Sequence, residues 1–125
     1  MDVVLRSIAD PGNLDKERVV LKVDADCDIG DYILLVTGQR KGAVTNNIRS
    51  SFWFPDKLVR RDDLIVVYTK TGTQNSRIQP SGSEIHFFYW DIAETMWDTG
   101  RHAAVLVHVD AWTHLLAAEP IVEHG

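Results

Sequence analysis

The chain has 125 residues, of which 45% are hydrophobic and 25% charged, a balance that fits one globular domain with its own core. Its single cysteine, Cys27, excludes an internal disulfide, and its net charge of −5 argues against a wholly basic, nucleic-acid-coating surface. No stretch approaches the ~18 continuous apolar residues of a membrane helix, and the N-terminal MDVVLRSIADPGNL carries an early acid and no signal-type apolar core, so a soluble protein in a reducing, cytoplasmic setting is expected.

Short β-type runs separated by turn residues dominate the chain. Val3–Ile8 is the first, broken by Asp10-Pro11-Gly12-Asn13. Arg18–Val23 is the second, and its period of two sets Val19, Leu21 and Val23 apart from Arg18, Val20 and Lys22. An acidic loop spans Asp24–Asp31. Tyr32–Thr37 is apolar enough to be a central strand. Gly38–Asn47 reads as a basic loop, followed by a strand over Ile48–Phe54, Pro55-Asp56, and a strand over Leu64–Thr69. Lys70–Ser83, with Gly72, Pro80 and Gly82, reads as a long loop. Glu84–Trp90 and Ala103–Val109 are further strands, Ala111–Leu115 reads as an eighth, and Asp91–Trp97 and Leu115–Ala118 are the only segments suited to short helical turns. Seven or eight strands at this spacing predict an all-β fold, a sandwich or barrel, formed by one domain over residues 1–125 with 116–125 as a short C-terminal tail.

Charge is unevenly distributed along the chain. Residues 1–35 carry four Lys/Arg against eight Asp/Glu, residues 36–77 eight against three, and residues 78–125 one against seven. A basic middle between acidic ends forms either a patch for an acidic partner or a set of segments that neutralise one another in space.

Chemistry-bearing motifs are sparse. Asp24, Asp26, Asp28 and Asp31 alternate as calcium ligands do, but Gly30 falls one position late for an EF-hand loop and Leu35 stands where a bidentate Glu belongs, so a solvated acidic loop is the reading. His86, His102, His108, His114 and His124 show no metal-ligand spacing. Aspartates flank Cys27 and raise a thiol pKa, and neither a nucleophile elbow nor a phosphate-binding glycine loop is present. No catalytic residue, metal or cofactor is expected. The aromatic clusters Phe52-Trp53-Phe54 and Phe87-Phe88-Tyr89-Trp90 alternate across their strands, so some rings should face outward. The residues singled out for binding are Arg40, Lys41, Arg49, Trp53, Arg60, Arg61, Phe88 and Trp90.

The run Phe52-Trp53-Phe54-Pro55-Asp56-Lys57-Leu58-Val59-Arg60-Arg61-Asp62-Asp63-Leu64-Ile65-Val66-Val67-Tyr68 resembles the aromatic–x–Phe–Pro segment, turn and Val-rich strand of the lamin tail domain family. Phe88-Tyr89-Trp90, then Trp97-Asp98-Thr99-Gly100 before Ala103–Val109, and Asp10-Pro11 before Glu17-Arg18-Val19-Val20-Leu21 are similar to further family motifs. Arg61-Asp62 replaces the family's Pro-Gly, Arg101 its Asp, and Tyr32 its Trp. The resemblance spans residues 3–112 and implies an immunoglobulin-like β-sandwich with no catalytic site of its own. It also implies a binding or targeting role toward proteins, DNA or chromatin; bacterial members often accompany separate enzymatic domains, for which this chain leaves no room. The expectation is a non-catalytic binding module that makes protein contacts or self-associates, with nucleic-acid binding through the basic 40–61 segment as the alternative.

Overall fold

The computed structural model describes residues 1–118 and is all-β. Ten strands occur among the described residues: β1 (Val3–Ala9), β2 (Arg18–Val23), β3 (Cys27–Asp28), β4 (Tyr32–Arg40), β5 (Ala43–Trp53), β6 (Leu58–Val59), β7 (Leu64–Tyr68), β8 (Asn75–Ile78), β9 (Glu84–Tyr89) and β10 (His102–His108). They form a five-stranded sheet in the order β1-β2-β7-β9-β8, a three-stranded sheet β10-β4-β5 and the small pair β3-β6. All pairings are antiparallel except β7 with β9, which run parallel from Leu64 opposite Ile85 to Tyr68 opposite Tyr89. The chain reverses through β8 on the outer edge between them.

The two larger sheets share one apolar core. β2 gives Val19, Leu21 and Val23, β7 gives Ile65 and Val67, and β9 gives Phe88. From the other sheet come Tyr32, Leu34 and Val36 of β4, with Phe52 of β5 and Leu106 of β10 packed against them. The period of two expected for β2 appears directly in its alternating burial. β4 is central, as its unbroken apolar run predicts.

Five segments differ from the sequence reading. Gly38–Asn47 is not a loop: β4 and β5 continue through it to a two-residue turn at Lys41-Gly42, both at positive φ (54° and 77°), the requirement of a tight primed hairpin. Lys70–Ser83 contains β8, held by pairing with β9 that local sequence does not announce. Ala111–Leu115 forms no strand, and neither Asp91–Trp97 nor Leu115–Ala118 is helical; the one helical element among the described residues is a 3-10 turn at Ile29–Asp31 inside the acidic loop. Most of the expected 116–125 tail, with His124, lies outside the described residues.

Glu17 anchors the long connection between β9 and β10. It is fully buried, and its carboxylate accepts from the backbone N–H groups of Gly12 (3.0 Å), Met96 (2.9 Å) and Trp97 (3.1 Å) and from the Thr69 hydroxyl (2.6 Å). Four donors on one carboxylate compensate its removal from water. They also seat Met96 and Trp97 in the core, where Trp97 lies edge-on to Trp90.

Candidate functional site

Sheet alternation decides which aromatic residues are available to solvent. Phe52 and Phe54 meet Phe88 and Trp90 between the sheets, with ring centroids 5.1 to 6.2 Å apart. Phe88 is 1% exposed and Trp90 8%, and the Trp90 indole donates to the Ser50 hydroxyl. These two expected binding residues are therefore core residues: their parity on β9 points them at the facing sheet. Trp53 of the three-stranded sheet is 47% exposed as expected, but its indole donates to the Gly30 carbonyl and its ring stands edge-on to that of Trp112.

The expected basic residues do not converge. Arg40 and Lys41 form the tip of the β4–β5 hairpin, and Arg49 lies at a β5 irregularity beside Val36 and Thr37. Arg60 and Arg61 follow β6, next to β3 and the start of β4. Eight steps along β4 at ~3.3 Å each separate that end from Arg40 by about 26 Å, so the 40–61 segment forms no single patch.

The solvent face of the five-stranded sheet brings together what the linear reading separated. Arg18 and Lys22 of β2, Tyr68 of β7, Phe87 and Tyr89 of β9 and Arg77 of β8 share it, as strand pairing dictates. Tyr68 stacks on Tyr89 (5.5 Å, 13° between planes) and lies near-parallel to Phe87 (6.3 Å). The Lys70 ammonium sits 5.0 Å from the Tyr68 ring centre, and the Arg77 guanidinium 5.8 Å from that of Phe87. Each such exposed contact contributes about 0.5–1 kcal/mol and orders the cation over its ring. Gly72 runs against Tyr89 where a β-carbon would overlap the ring. These three rings are half-buried, not covered.

At the other end of this face, the 60–63 turn separates two clefts of about 590 and 550 Å³. Asp63, 4% exposed, sits beneath the turn. It accepts from the Arg60 N–H (3.0 Å), the Glu84 N–H (2.9 Å) and the Nε2–H of buried His86 (2.8 Å). Burial pushes the Asp63 carboxyl up, but the hydrogen bonds from His86, Glu84 and Arg60, with the attraction of the His86 ring, outweigh it and the net shift is downward. His86 Nδ1 has no hydrogen-bond partner. Cys27 lines the same second cleft, but burial raises its thiol to about 11, with Asp2, Asp31, Asp28 and Asp26 adding to the effect. A protonated thiol is a poor partner for His86 in nucleophilic chemistry.

The remaining acids and histidines serve the backbone and the packing. Asp28 Oδ1 accepts from the Gly30 and Lys57 N–H groups, and Asp26 accepts from that of Arg61. His102 Nδ1–H donates to the Met96 carbonyl, His108 stacks on Tyr32, and His114 lies beside Trp112. Among the described residues, no group of three or more His, Cys, Asp and Glu is placed to hold a metal ion, and no helix is long and apolar enough to cross a membrane. Comparison with protein-family models and with curated proteins finds no match to the chain.

Proposed function

We propose that this chain is a non-catalytic binding module whose contact surface for a partner protein is the solvent face of the five-stranded sheet. One observation carries the reading: three half-exposed rings, Tyr68, Phe87 and Tyr89, stand together with Lys70 and Arg77 on one face of a chain whose net charge is −5. Aromatic anchors ringed by cations suit an acidic protein surface, where rings supply contact area and cations supply steering and orientation. The immunoglobulin-like sandwich implied by the lamin tail resemblance is part of this proposal, supported by two sheets sharing one core. A cytoplasmic location goes with it, supported by the lone Cys27. Nucleic-acid binding through residues 40–61 is not carried forward, because its cations fall at both ends of β4.

The test is co-purification of the tagged full chain from its native host, as wild type, as Phe87→Ala/Tyr89→Ala and as Arg40→Gln/Lys41→Gln. The wild type and the hairpin-tip variant should retain one stoichiometric partner that the face variant loses at least tenfold, with unchanged circular dichroism in all three. Retention by the face variant, or a lone monomer in every preparation, would overturn the reading.

A further inference from the structure

We infer that the cleft at the Leu64 end of the five-stranded sheet is a binding site for a phosphate-class dianion. Four cations line it: Arg6 from β1, Lys22 from β2, and Arg60 and Arg61 from the β6–β7 turn. None of the four forms an ion pair within 4.0 Å among the described residues. The lining also holds two carboxylates. Asp63 is turned beneath the surface onto Arg60, Glu84 and His86, and Asp62 occupies the turn itself at φ 74°. Four cations against two carboxylates leave an excess of two positive charges in one cleft of an acidic protein. Like charges gathered from three separate segments and only half balanced by carboxylates repel one another, and a bound dianion relieves that repulsion.

Both walls are held in place by the backbone. Asp62 N–H donates to the Val23 carbonyl, Val23 N–H to the Asp63 carbonyl, and Arg61 N–H to Asp26, so Arg60 and Arg61 project from a pinned turn. Arg6 occupies the register shift between Leu5 and Ser7, where a bulge re-aims a side chain out of the ladder. Opposite, the 79–83 turn is closed by Gln79 N–H to the Ser83 carbonyl and Gly82 N–H to the Gln79 carbonyl, which brings the Ser81 and Ser83 hydroxyls to the cleft. Three guanidinium groups supply forked donors matched to a phosphate's oxygens and Lys22 supplies a point charge, while the serine hydroxyls brace the turn, Ser83 donating to Gln79 Oε1 and Ser81 to Ser83. The cleft, of about 590 Å³, has room for a terminal phosphate, free or esterified. It stands independently of the aromatic contact surface at the Tyr68 end.

The test is an amide chemical-shift titration of the full chain with inorganic phosphate and with phenyl phosphate at pH 7.5, ionic strength being held constant with sodium chloride. Saturable shifts confined to residues 6, 22, 60–64 and 79–83 are expected, at least tenfold weaker in Arg60→Gln/Arg61→Gln and in Arg6→Gln/Lys22→Gln, and unchanged in Arg40→Gln/Lys41→Gln. Preference for phenyl phosphate assigns the site to a phosphate ester and preference for inorganic phosphate to the free ion; either supports it. Shifts that fail to saturate, that sodium chloride alone reproduces, or that persist undiminished in a folded double variant would overturn it. If one double variant does not fold, the other decides.

Discussion

Replacing Glu17 removes the acceptor of four donors, two of which are backbone groups without access to water. The Met96 and Trp97 N–H groups are buried, and each left unsatisfied costs about 1–3 kcal/mol. The Gly12 N–H can turn to water, because Gly12 is exposed, and the Thr69 hydroxyl can rotate. For Glu17→Ala the loss should therefore total about 3–5 kcal/mol, the exceptional range for a single substitution. Glu17→Gln keeps the volume but presents an amide NH₂ to at least one backbone N–H that cannot reorient, and should cost roughly 2–3 kcal/mol. Urea unfolding followed by tryptophan fluorescence and by far-ultraviolet circular dichroism measures this, provided the two probes coincide. Trp97, one of four tryptophans, sits in the 91–97 connection, so the summed emission should shift red in both variants. A Glu17→Ala variant within 1 kcal/mol of wild type (on the order of one ordinary hydrogen bond), or a Gln variant as stable as wild type, would refute the account of this carboxylate.

Three further outcomes follow from the same geometry. Asp63 is held below its ordinary value near 3.9, so its stabilising contribution is present above that pH and is lost as pH falls through its lower folded value. Asp63→Asn should lower stability by about 1–3 kcal/mol at pH 7 and flatten its decline as pH falls below about 4; an equally steep acid limb in the variant would contradict this. With Cys27 raised to about 11, its thiolate fraction at pH 8 falls ~100-fold, and the nucleophilicity gained with basicity returns about tenfold, so iodoacetamide should react roughly tenfold slower than with an unfolded-peptide cysteine. Equal rates would mean the thiol is neither buried nor surrounded by aspartates. Gly72→Ala should cost about 1–3 kcal/mol by overpacking against Tyr89, read as a lowered urea midpoint, whereas Gly42→Ala, with open space around it, should lose only the strain of its positive φ.

The strands were legible where burial imposed a pattern. Arg18–Val23 alternates and Tyr32–Thr37 is continuously apolar because one has a single buried face and the other sits mid-sheet. β8 was not legible, since Asn75–Ile78 is wholly exposed and is a strand only because β9 offers it an edge. The β4–β5 extension was hidden for a similar reason: Lys41-Gly42 carries the turn, while polar Thr45 and the exposed Asn46 and Asn47 look like loop. At the candidate site, parity was the missing quantity. Alternation on Phe87–Trp90 said that two rings face out, but only the position of the facing sheet says that they are Phe87 and Tyr89 and not Phe88 and Trp90. The convergence of Arg6 and Lys22 with Arg60 and Arg61 depends wholly on β1 pairing with β2 and β2 with β7, which no local signal fixes.

Sheet edges bear on how any partner could attach. Strand addition needs a regular run of unpaired backbone groups, and proteins block it with bulges, charge or short edges. β1 is interrupted by its shift at Arg6, β5 by two irregularities and Arg49, and β8 is four residues long. Only β10 pairs with β4 without a break, and its free edge shares a shallow groove with β1, in which Ala104 lies among Leu5, Ser7 and Ile8, with Arg6 also lining it. Among the described residues, three of the four edges of the two larger sheets are thus poor templates, and the fourth is flanked by a neighbouring strand. Self-association by strand pairing would therefore have to use β10, and a charge placed there, Val105→Lys, should abolish it. If light scattering across a concentration series shows a dimer that Val105→Lys leaves intact, association runs through a sheet face instead. The solvent face carrying Tyr68, Phe87 and Tyr89 is then the surface to mutate next, because its half-exposed rings already carry the contact area that an edge would otherwise have to supply.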